Sequence, residues 1–304
     1  MRIHRVVVLA IATIVSIDVS VAAQRTFVSV SGSDTAACSV TAPCRSFGAA
    51  IAQTDAGGEI IVLDSGGYGK VTINKSVAIR SPAGIYAGIS VFFPDNGVVV
   101  DVPGGRVVLE GLTITGLGGY GGIRFLNGSE LRGIRVQMQG MGGDGIAMYE
   151  NNGGALIVTD SGFFANGFTG IVLGGGGSGS SVVVERCRFE RNVDAGLRIG
   201  DSTTAHVRDS TFYRNQFRGL EVAASNVGAS MEVENVLVAE NGVGLFGSTS
   251  GPGVARMRVA RSTIIGNTFL AIEAQATSVI LSRGDNTVAD NAAAEAFTGT
   301  YLPK

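Results

Sequence analysis

One asparagine recurs at nearly constant spacing through the second half of the chain, and this repeat constrains the fold more than any other feature. The six positions are Asn166, Asn192, Asn215, Asn241, Asn267 and Asn291. They are separated by 26, 23, 26, 26 and 24 residues. A repeat of this length is typical of chains that stack one structural unit on the next.

Each unit carries the same apolar pattern before its asparagine. The residues three positions earlier are Phe163, Phe189, Phe212, Val238, Ile264 and Val288. Those eight positions earlier include Val158, Val184, Val207, Val233 and Val259. Short runs with apolar residues two apart are typical of strands with one buried face. We therefore interpret each unit as three short strands joined by bends rich in Gly, Asn and Ser.

Three short strands in every two dozen residues predict a coil of parallel strands, with the turns about 4.8 Å apart. Stacked turns bury a continuous core that a single turn cannot form. The asparagine column predicts a tight bend, because Asn tolerates a left-handed backbone. Stacked Asn amides can also hydrogen-bond to one another along the axis. Before Val158 the column is absent, and Leu117 and Gln139 stand in its place.

The repeat resembles that of right-handed parallel β-helix proteins, the pectate-lyase-like superfamily, over roughly residues 59 to 293. The opening is also similar, with Phe47, Ala50 and Ile51 followed by the runs 57–63 and 66–73. The resemblance implies an all-β fold, a right-handed parallel β-helix solenoid of about nine to ten turns.

A short capping helix is predicted from Ser46 to Thr54. Ser46 is a favourable first cap, and Phe47, Ala50 and Ile51 share one face. We expect this helix to lie across the open end of the coil, because an uncovered end exposes core side chains and free strand edges.

Residues 1–23 have the pattern of a secretory signal. Arg2 and Arg5 precede an apolar stretch at 6–17, and small residues at 21–23 precede Gln24. A membrane anchor is the alternative, but the apolar stretch is too short to span a bilayer. We expect a secreted or periplasmic protein with no membrane span after removal of the signal.

The predicted domain organisation has three parts after the signal. Residues 24–58 form an N-terminal strand, a cysteine loop and the capping helix. Residues 59–293 form the β-helix. Residues 294–304 form a C-terminal cap or tail, with Leu302 packed onto the last turn.

The three cysteines fall into two groups. Cys38 and Cys44 lie six residues apart in a polar loop and are expected to form a disulfide in an oxidising compartment. Metal binding is the alternative, although two thiols without a nearby His make a poor zinc site. Cys187 falls in an inward column with Ser161 and Ser210, and we interpret it as a buried thiol rather than a nucleophile. No metal site and no cofactor are predicted.

Composition and missing motifs narrow the function. The net charge is −2, without the basic patch that nucleic-acid binding calls for. His206 is the one histidine left after signal removal, and no Gly-x-Ser-x-Gly elbow accompanies it. The superfamily includes lyases, hydrolases, esterases, epimerases and proteins of no known activity. The catalytic signatures of polygalacturonases, pectin methylesterases, pectate lyases and alginate epimerases are not found.

The strongest candidate site comes from outward positions of one strand column. These positions hold Glu185, His206, Arg208, Glu232, Glu234 and Arg258. Glu232 and Glu234 could hold their carboxyls near the roughly 6.5–9.5 Å separation of an inverting glycosidase. His206 or Arg208 could serve as a base beside them, with Glu185 and Arg258 binding the substrate. The alternative is a structural ladder of charges, because signs alternate between turns.

Two functions remain on sequence alone. In the first, the protein is a non-catalytic glycan-binding or structural protein of the cell surface or periplasm. In the second, it is a polysaccharide lyase or glycoside hydrolase that acts on an acidic polysaccharide at the Glu185–Arg258 column. Under either function, a polysaccharide is the expected partner if the protein binds a ligand. The sequence does not indicate an oligomeric state.

Overall fold

The computed structural model describes residues 23–149, 153–174, 179–293 and 296–302, and these residues form a parallel β-helix. Each strand pairs in parallel with the strands one turn before and one turn after it, as Ala155–Thr159 does with Glu130–Ile134 and Ser180–Glu185. The coil has about nine turns, because its third sheet contains nine strands within the described residues. The predicted fold class is confirmed.

Three sheets run the length of the coil. Within the described residues, the strands of the first sheet are Ala23–Val28, Thr54–Val62, Val77–Arg80, Arg106–Glu110, Glu130–Ile134, Ala155–Thr159, Ser180–Glu185, Thr203–Arg208, Ala229–Glu234, Ala255–Ala260, Val279–Ser282 and Gly299–Thr300. Those of the second sheet are Gly66–Gly67, Ala87–Val91, Leu112–Gly116, Gln137–Gln139, Gly162–Phe164, Arg188–Glu190, Thr211–Tyr213, Leu237–Ala239, Thr263–Ile265 and Thr287–Ala289. Those of the third sheet are Val71–Ile73, Asn96–Asp101, Gly121–Asn127, Ile146–Met148, Ile171–Leu173, Ala195–Ile199, Arg218–Ala224, Val243–Thr249 and Leu270–Ala274.

The core is a set of vertical stacks, one from each inward column of the repeat. Phe163, Phe189 and Phe212 are fully buried, and their rings stack face to face with centroids 4.8 and 4.7 Å apart. Burial of each such ring contributes about 1.5–3 kcal/mol relative to leaving it exposed. The inward columns therefore supply the main driving force for coiling.

The asparagine column forms a continuous hydrogen-bonded ladder in the interior. Asn215 is 1% exposed; its Nδ2 donates to Asn241 Oδ1 (2.9 Å) and to the Phe189 carbonyl (3.2 Å), and its Oδ1 accepts from Asn192 Nδ2 (2.9 Å). The predicted amide ladder is confirmed. Loss of one amide would leave buried polar groups unpaired, at about 1–3 kcal/mol each.

The prediction that these asparagines adopt a left-handed backbone is wrong. The left-handed residue is the one immediately before, as at Arg214 (φ 54°) and Arg191 (φ 57°). Because Asn215 must point inward to reach both neighbouring turns, the preceding residue makes the bend. The column also continues differently before Asn166: the Met141 amide donates to Asn166 Oδ1 at 3.3 Å, so Met141 rather than Gln139 occupies it.

The predicted capping helix is confirmed as α1, Phe47–Gln53, with Ser46 as its N-cap. Ser46 Oγ accepts a hydrogen bond from the Ala49 amide at 3.2 Å, and the helix packs against the first strands of the coil. The disulfide between Cys38 and Cys44 is present and buried, so the metal-binding alternative is wrong.

The last turn is covered by Phe297, which packs against the core, whereas Leu302 is 88% exposed. The expectation for Leu302 is wrong, because the strand Gly299–Thr300 pairs with Val279–Ser282 and carries the chain past the end of the core. The predicted signal lies outside the described residues except for Ala23. In the part of the chain that is described, no helix is long and apolar enough to cross a membrane. The predicted domain boundaries stay predictions.

Candidate functional site

The six residues predicted as a site share the outward face of four adjacent strands of the first sheet, and we call them the strand-face patch. They are Glu185, His206, Arg208, Glu232, Glu234 and Arg258. Register places His206 beside Glu232, and Arg208 between Glu185 and Glu234. The structure thus brings the six residues together, and their assigned roles stay predictions.

Ion pairs between turns dominate the strand-face patch. Its carboxylates pair as Glu185 with Arg208 (2.8 Å), Glu232 with Arg258 (2.9 Å), and Glu234 with both Arg261 and Arg283. A small cavity of about 290 Å³ is lined by His206, Arg208, Glu232 and Glu234. The hydrogen bond from Arg208 holds the pKa of Glu185 below its usual value of 4.5.

Cys187 lies two residues after Glu185 and is buried, with 3% of it exposed. Burial raises the pKa of its thiol to about 12, and its Sγ donates to the carbonyls of Glu185 (3.3 Å) and Val158 (3.5 Å). A thiol of this pKa is a poor nucleophile at neutral pH, in agreement with the interpretation of Cys187 as a structural residue.

A larger groove lies on the other side of the coil, across the third sheet, and sequence reasoning did not find it. Its volume is about 810 Å³. The side chains that line it include Asp144, Tyr149, Phe168, Asp194, Arg198 and Phe217. The exposed fractions of Phe168 and Phe217 are 56% and 53%, so both rings stand at the rim.

The repeat itself builds this groove. In each turn, a pair of inward apolar residues follows the asparagine column, and the residue between them points outward. The outward residues Val172, Arg198 and Glu221 are direct neighbours on three successive strands. The bends before these strands supply one wall, with Phe168, Asp194 and Phe217, and the bend before Ile146–Met148 adds Asp144.

Asp144 is a buried carboxyl, 8% exposed, at one side of the groove. One oxygen accepts the Thr169 amide (2.9 Å) and the other accepts the Tyr149 hydroxyl (3.0 Å). Burial raises the pKa of Asp144 above its usual 3.8, and nearby Asp194 adds to the shift, whereas these two hydrogen bonds and Arg124 oppose it.

Four further charged residues lie near Asp144 and form ion pairs with one another. Asp194 forms ion pairs with Arg198 Nη1 (3.1 Å) and Arg218 Nη1 (3.3 Å). Glu221 forms ion pairs with the same two arginines, at 3.4 Å from Arg198 and 3.2 Å from Arg218. Glu221 is 2% exposed, and burial raises its pKa while Arg198 and Arg218 oppose the rise. We call Asp144, Asp194, Arg198, Arg218 and Glu221 the groove ion cluster.

Two of the nearby guanidinium groups also lie over aromatic rings. Arg218 lies 4.1 Å from the centroid of Phe246, and Arg124 lies 5.4 Å from that of Tyr149. With Arg124 included, three guanidinium groups face three carboxyls. Asp201 also lines the groove, so the lining carries more carboxyls than guanidinium groups.

A family profile described as "Right handed beta helix region" matches residues 177–269. This chain is a right-handed parallel β-helix. The β-helix is similar to the solved structures of pectate lyase Pel9A (17% identity, TM-score 0.56, 92% of this chain and 80% of that one) and of an alginate lyase from Paenibacillus sp. str. FPU-7 (12% identity, TM-score 0.57, 92% and 99%). It is also similar to XylC in complex with xylose (10% identity, TM-score 0.60, 87% and 70%). No curated protein sequence matches the chain.

The chemistry available in the groove of this β-helix is that of polar recognition. Among the residues with described positions, no three His, Cys, Asp or Glu side chains gather as metal ligands. Carboxyls and guanidinium groups present fixed acceptors and donors, and aromatic rings flank them. Pockets of this kind, with a few polar groups among apolar side chains, are typical ligand sites.

One signal in the sequence could have located half of the groove. Arg198 and Glu221 each stand between two apolar residues of the repeat, at outward positions that should be neighbours. Asp144 and Tyr149 belong to the turn before the asparagine ladder begins, where the sequence pattern places Gln139 in the column and the structure places Met141 there. That half of the groove could not be placed from the repeat.

Proposed function

We propose that this β-helix is an exported protein that binds an uncharged glycan in the groove across its third sheet. The observation that carries the proposal is the juxtaposition, in one groove of about 810 Å³, of the paired groups Asp194 and Arg198 with the exposed rings of Phe168 and Phe217. The groove is then the site of the glycan binding that the sequence led us to expect.

The groove offers what a sugar ring requires. A pyranose has apolar C–H faces and an edge of hydroxyl groups, so it pairs with an aromatic face and with fixed polar groups beside it. Phe168 and Phe217 supply the faces, and Asp194 and Arg198 supply acceptors and donors. Hydrogen bonds to ionised groups are roughly twice as strong as neutral ones.

The charges of the groove favour an uncharged sugar over a polyuronate, because three carboxyls line it against one arginine, Arg198. The Arg198 guanidinium already pairs with Asp194 and Glu221, and Asp194 also pairs with Arg218. A carboxylated sugar would have to displace one of these partners. Among similar folds, XylC was solved with xylose, an uncharged sugar, whereas the two lyases are named for pectate and alginate.

Export is supported by two features of the N-terminal region. The sequence pattern of residues 1–23 is that of a secretory signal, and a disulfide such as Cys38–Cys44 is typical of an oxidising compartment. N-terminal sequencing of the chain produced in a bacterium with its leader should find Gln24 as the first residue of the exported form. A retained Met1 in the cytoplasmic fraction would contradict export.

Affinity electrophoresis tests the glycan site directly. Xylan, cellulose-derived and mannan-derived polysaccharides would be compared with pectate and alginate. We expect retention on an uncharged glycan, and we expect Phe168→Ala and Phe217→Ala each to weaken it about threefold to tenfold through loss of one stacking face.

Phe93→Ala is the matched control for these variants. Phe93 is 77% exposed and does not line the groove, so its replacement should leave retention unchanged. Equal retention of all variants, or retention on pectate and alginate alone, would contradict the proposed site.

A second candidate function is turnover of an acidic polysaccharide at the strand-face patch. The cavity that holds His206, Glu232 and Glu234 favours it. In this proposal Glu232 and Glu234 provide the acid and base, and Glu185 and Arg258 hold the substrate. New reducing ends or unsaturated products from pectate, alginate or hyaluronan, lost in Glu232→Gln or Glu234→Gln, would support it. No product with any of these substrates, with or without calcium, would contradict it.

A further inference from the structure

Four exposed aromatic side chains share one column that passes the rim of the groove and extends beyond it at both ends. Backbone hydrogen bonds link this column turn by turn: Gly143 N to Tyr120 O (2.6 Å), Phe168 N to Gly143 O (3.1 Å), Asp194 N to Phe168 O (3.0 Å), Phe217 N to Asp194 O (3.2 Å) and Phe269 N to Gly242 O (2.8 Å). The Val243 amide continues it from the Phe217 carbonyl at 2.7 Å. Tyr120, Phe168, Phe217 and Phe269 therefore lie on one line parallel to the axis, and we call them the outer aromatic column.

The aromatic residues occupy every second turn. Between them stand Gly143, Asp194 and Gly242, which are small or charged. With turns about 4.8 Å apart, successive rings are about 9.6 Å apart, and the four span about 29 Å. Rings at this distance are too far apart to stack on one another, since aromatic pairs require centroids within about 7 Å.

The exposed fractions of these side chains confirm that the rings face solvent. They are 49% for Tyr120, 56% for Phe168, 53% for Phe217 and 71% for Phe269. The interior Phe163–Phe189–Phe212 stack shows the opposite arrangement, with a ring in every turn and centroids 4.7–4.8 Å apart. The outer column thus keeps each ring apart from the next and open to solvent.

We propose that the outer aromatic column is an extended binding surface for an uncharged β-1,4-linked glycan that runs along the helix axis. A two-turn period is comparable with the length of two pyranose units in an extended chain, so alternate sugars could stack on successive rings. The column is continuous with the groove, because Phe168 and Phe217 belong to both. This inference rests on the proposed function and adds to it the direction and length of the bound chain.

The two outer rings distinguish this proposal from binding in the groove alone. Tyr120 and Phe269 do not line the groove, so only a chain longer than the groove can reach them. A short oligosaccharide should therefore bind equally well with or without these two side chains. A long one should bind more weakly when either is removed.

Calorimetric titration with xylo- and gluco-oligosaccharides of graded length tests this expectation. We expect the octasaccharide to bind about tenfold more tightly than the tetrasaccharide. Phe269→Ala and Tyr120→Ala should each weaken octasaccharide binding about threefold to tenfold and leave tetrasaccharide binding unchanged. Phe93→Ala should affect neither.

The outcomes separate the two proposals. If no oligosaccharide binds and no uncharged glycan is retained, the proposed function itself fails. If short and long oligosaccharides bind equally and Phe269→Ala has no effect, only the extended surface is wrong. If Phe269→Ala instead changes the sedimentation coefficient of the free protein, the column is a contact between two copies of the chain, which also overturns the inference.

Discussion

The strand-face patch and the groove ion cluster are built from the same kinds of side chain by the same repeat, yet they differ in chemistry. In the patch, Arg208 and Glu234 are 56% and 42% exposed, and a hydrogen bond from arginine lowers the pKa of Glu185. In the cluster, Glu221 is 2% exposed, and burial raises the pKa of both Glu221 and Asp144. Burial, rather than the presence of charges, therefore distinguishes the two regions.

The sharpest test of this difference removes one arginine from each region. Arg218→Met breaks ion pairs with Asp194 and Glu221 and leaves Glu221 with one arginine in a buried position. Loss of one partner of a buried pair costs about 3–5 kcal/mol, and the partial exposure of Arg218 reduces this to roughly 2–3 kcal/mol. Urea unfolding at pH 7 measures the loss.

Arg208→Met is the matched variant on the strand-face patch. Arg208 pairs with Glu185 on an exposed surface, where ion pairs contribute little to stability. We expect its melting temperature to match that of the unchanged protein within experimental error. Equal destabilisation by the two variants would show that burial does not separate the regions.

A smaller effect is expected from Asp144→Asn, and it should depend on pH. Because the folded-state pKa of Asp144 is raised, its stabilising contribution is present below pH 3.8 and is lost as pH rises through the folded pKa. Tyr149, Thr169, Asp194 and Arg124 face this carboxyl and shape the shift. The free energy of unfolding of the variant, relative to the unchanged protein, should therefore increase above pH 3.8. A pH-independent difference between the two would contradict burial as the cause.

A pH-dependent effect of the opposite sign, smaller than that of Asp144→Asn, is expected from Glu185→Gln. The folded-state pKa of Glu185 is lowered, so its contribution is present above pH 4.5 and is lost as pH falls through the folded pKa. As pH falls below 4.5, the free energy of unfolding of Glu185→Gln should therefore decrease less than that of the unchanged protein. The same urea titrations, extended below pH 4.5, measure it. For each variant, the quantity compared is its free energy of unfolding relative to the unchanged protein. If this difference changed with pH in the same direction for Glu185→Gln as for Asp144→Asn, the two regions would not differ.

The sequence predicted the fold well because the repeat is visible in single columns of residues. Phe163, Phe189 and Phe212 are spaced so that only stacking can bury them together, and Asn192 and Asn215 are aligned with them. The neighbours within the strand-face patch followed from the same alignment. A register error of two residues at Gln139 arose because the turn ending at Met141 lacks the asparagine that marks the others.

The groove could not be predicted to the same extent, because it depends on bends whose lengths vary. Asp194 belongs to the bend after Asn192, and Asp144 belongs to the irregular turn before the ladder. Neither carries a periodic signal of its own. Whether a carboxyl is buried depends on how the adjoining bends fold over it, and columns of residues do not contain that information.

The asparagine ladder has a mechanical consequence. Each amide in it donates to the next asparagine toward the C-terminus, from Asn166 to Asn291, so every turn is held by the same bonds in the same direction. Tension applied to the C-terminus should therefore detach one turn at a time. With 23 to 26 residues per turn, each detachment should lengthen the chain by roughly 75–95 Å. In a single-molecule pulling trace, this half of the protein would give a series of nearly equal steps.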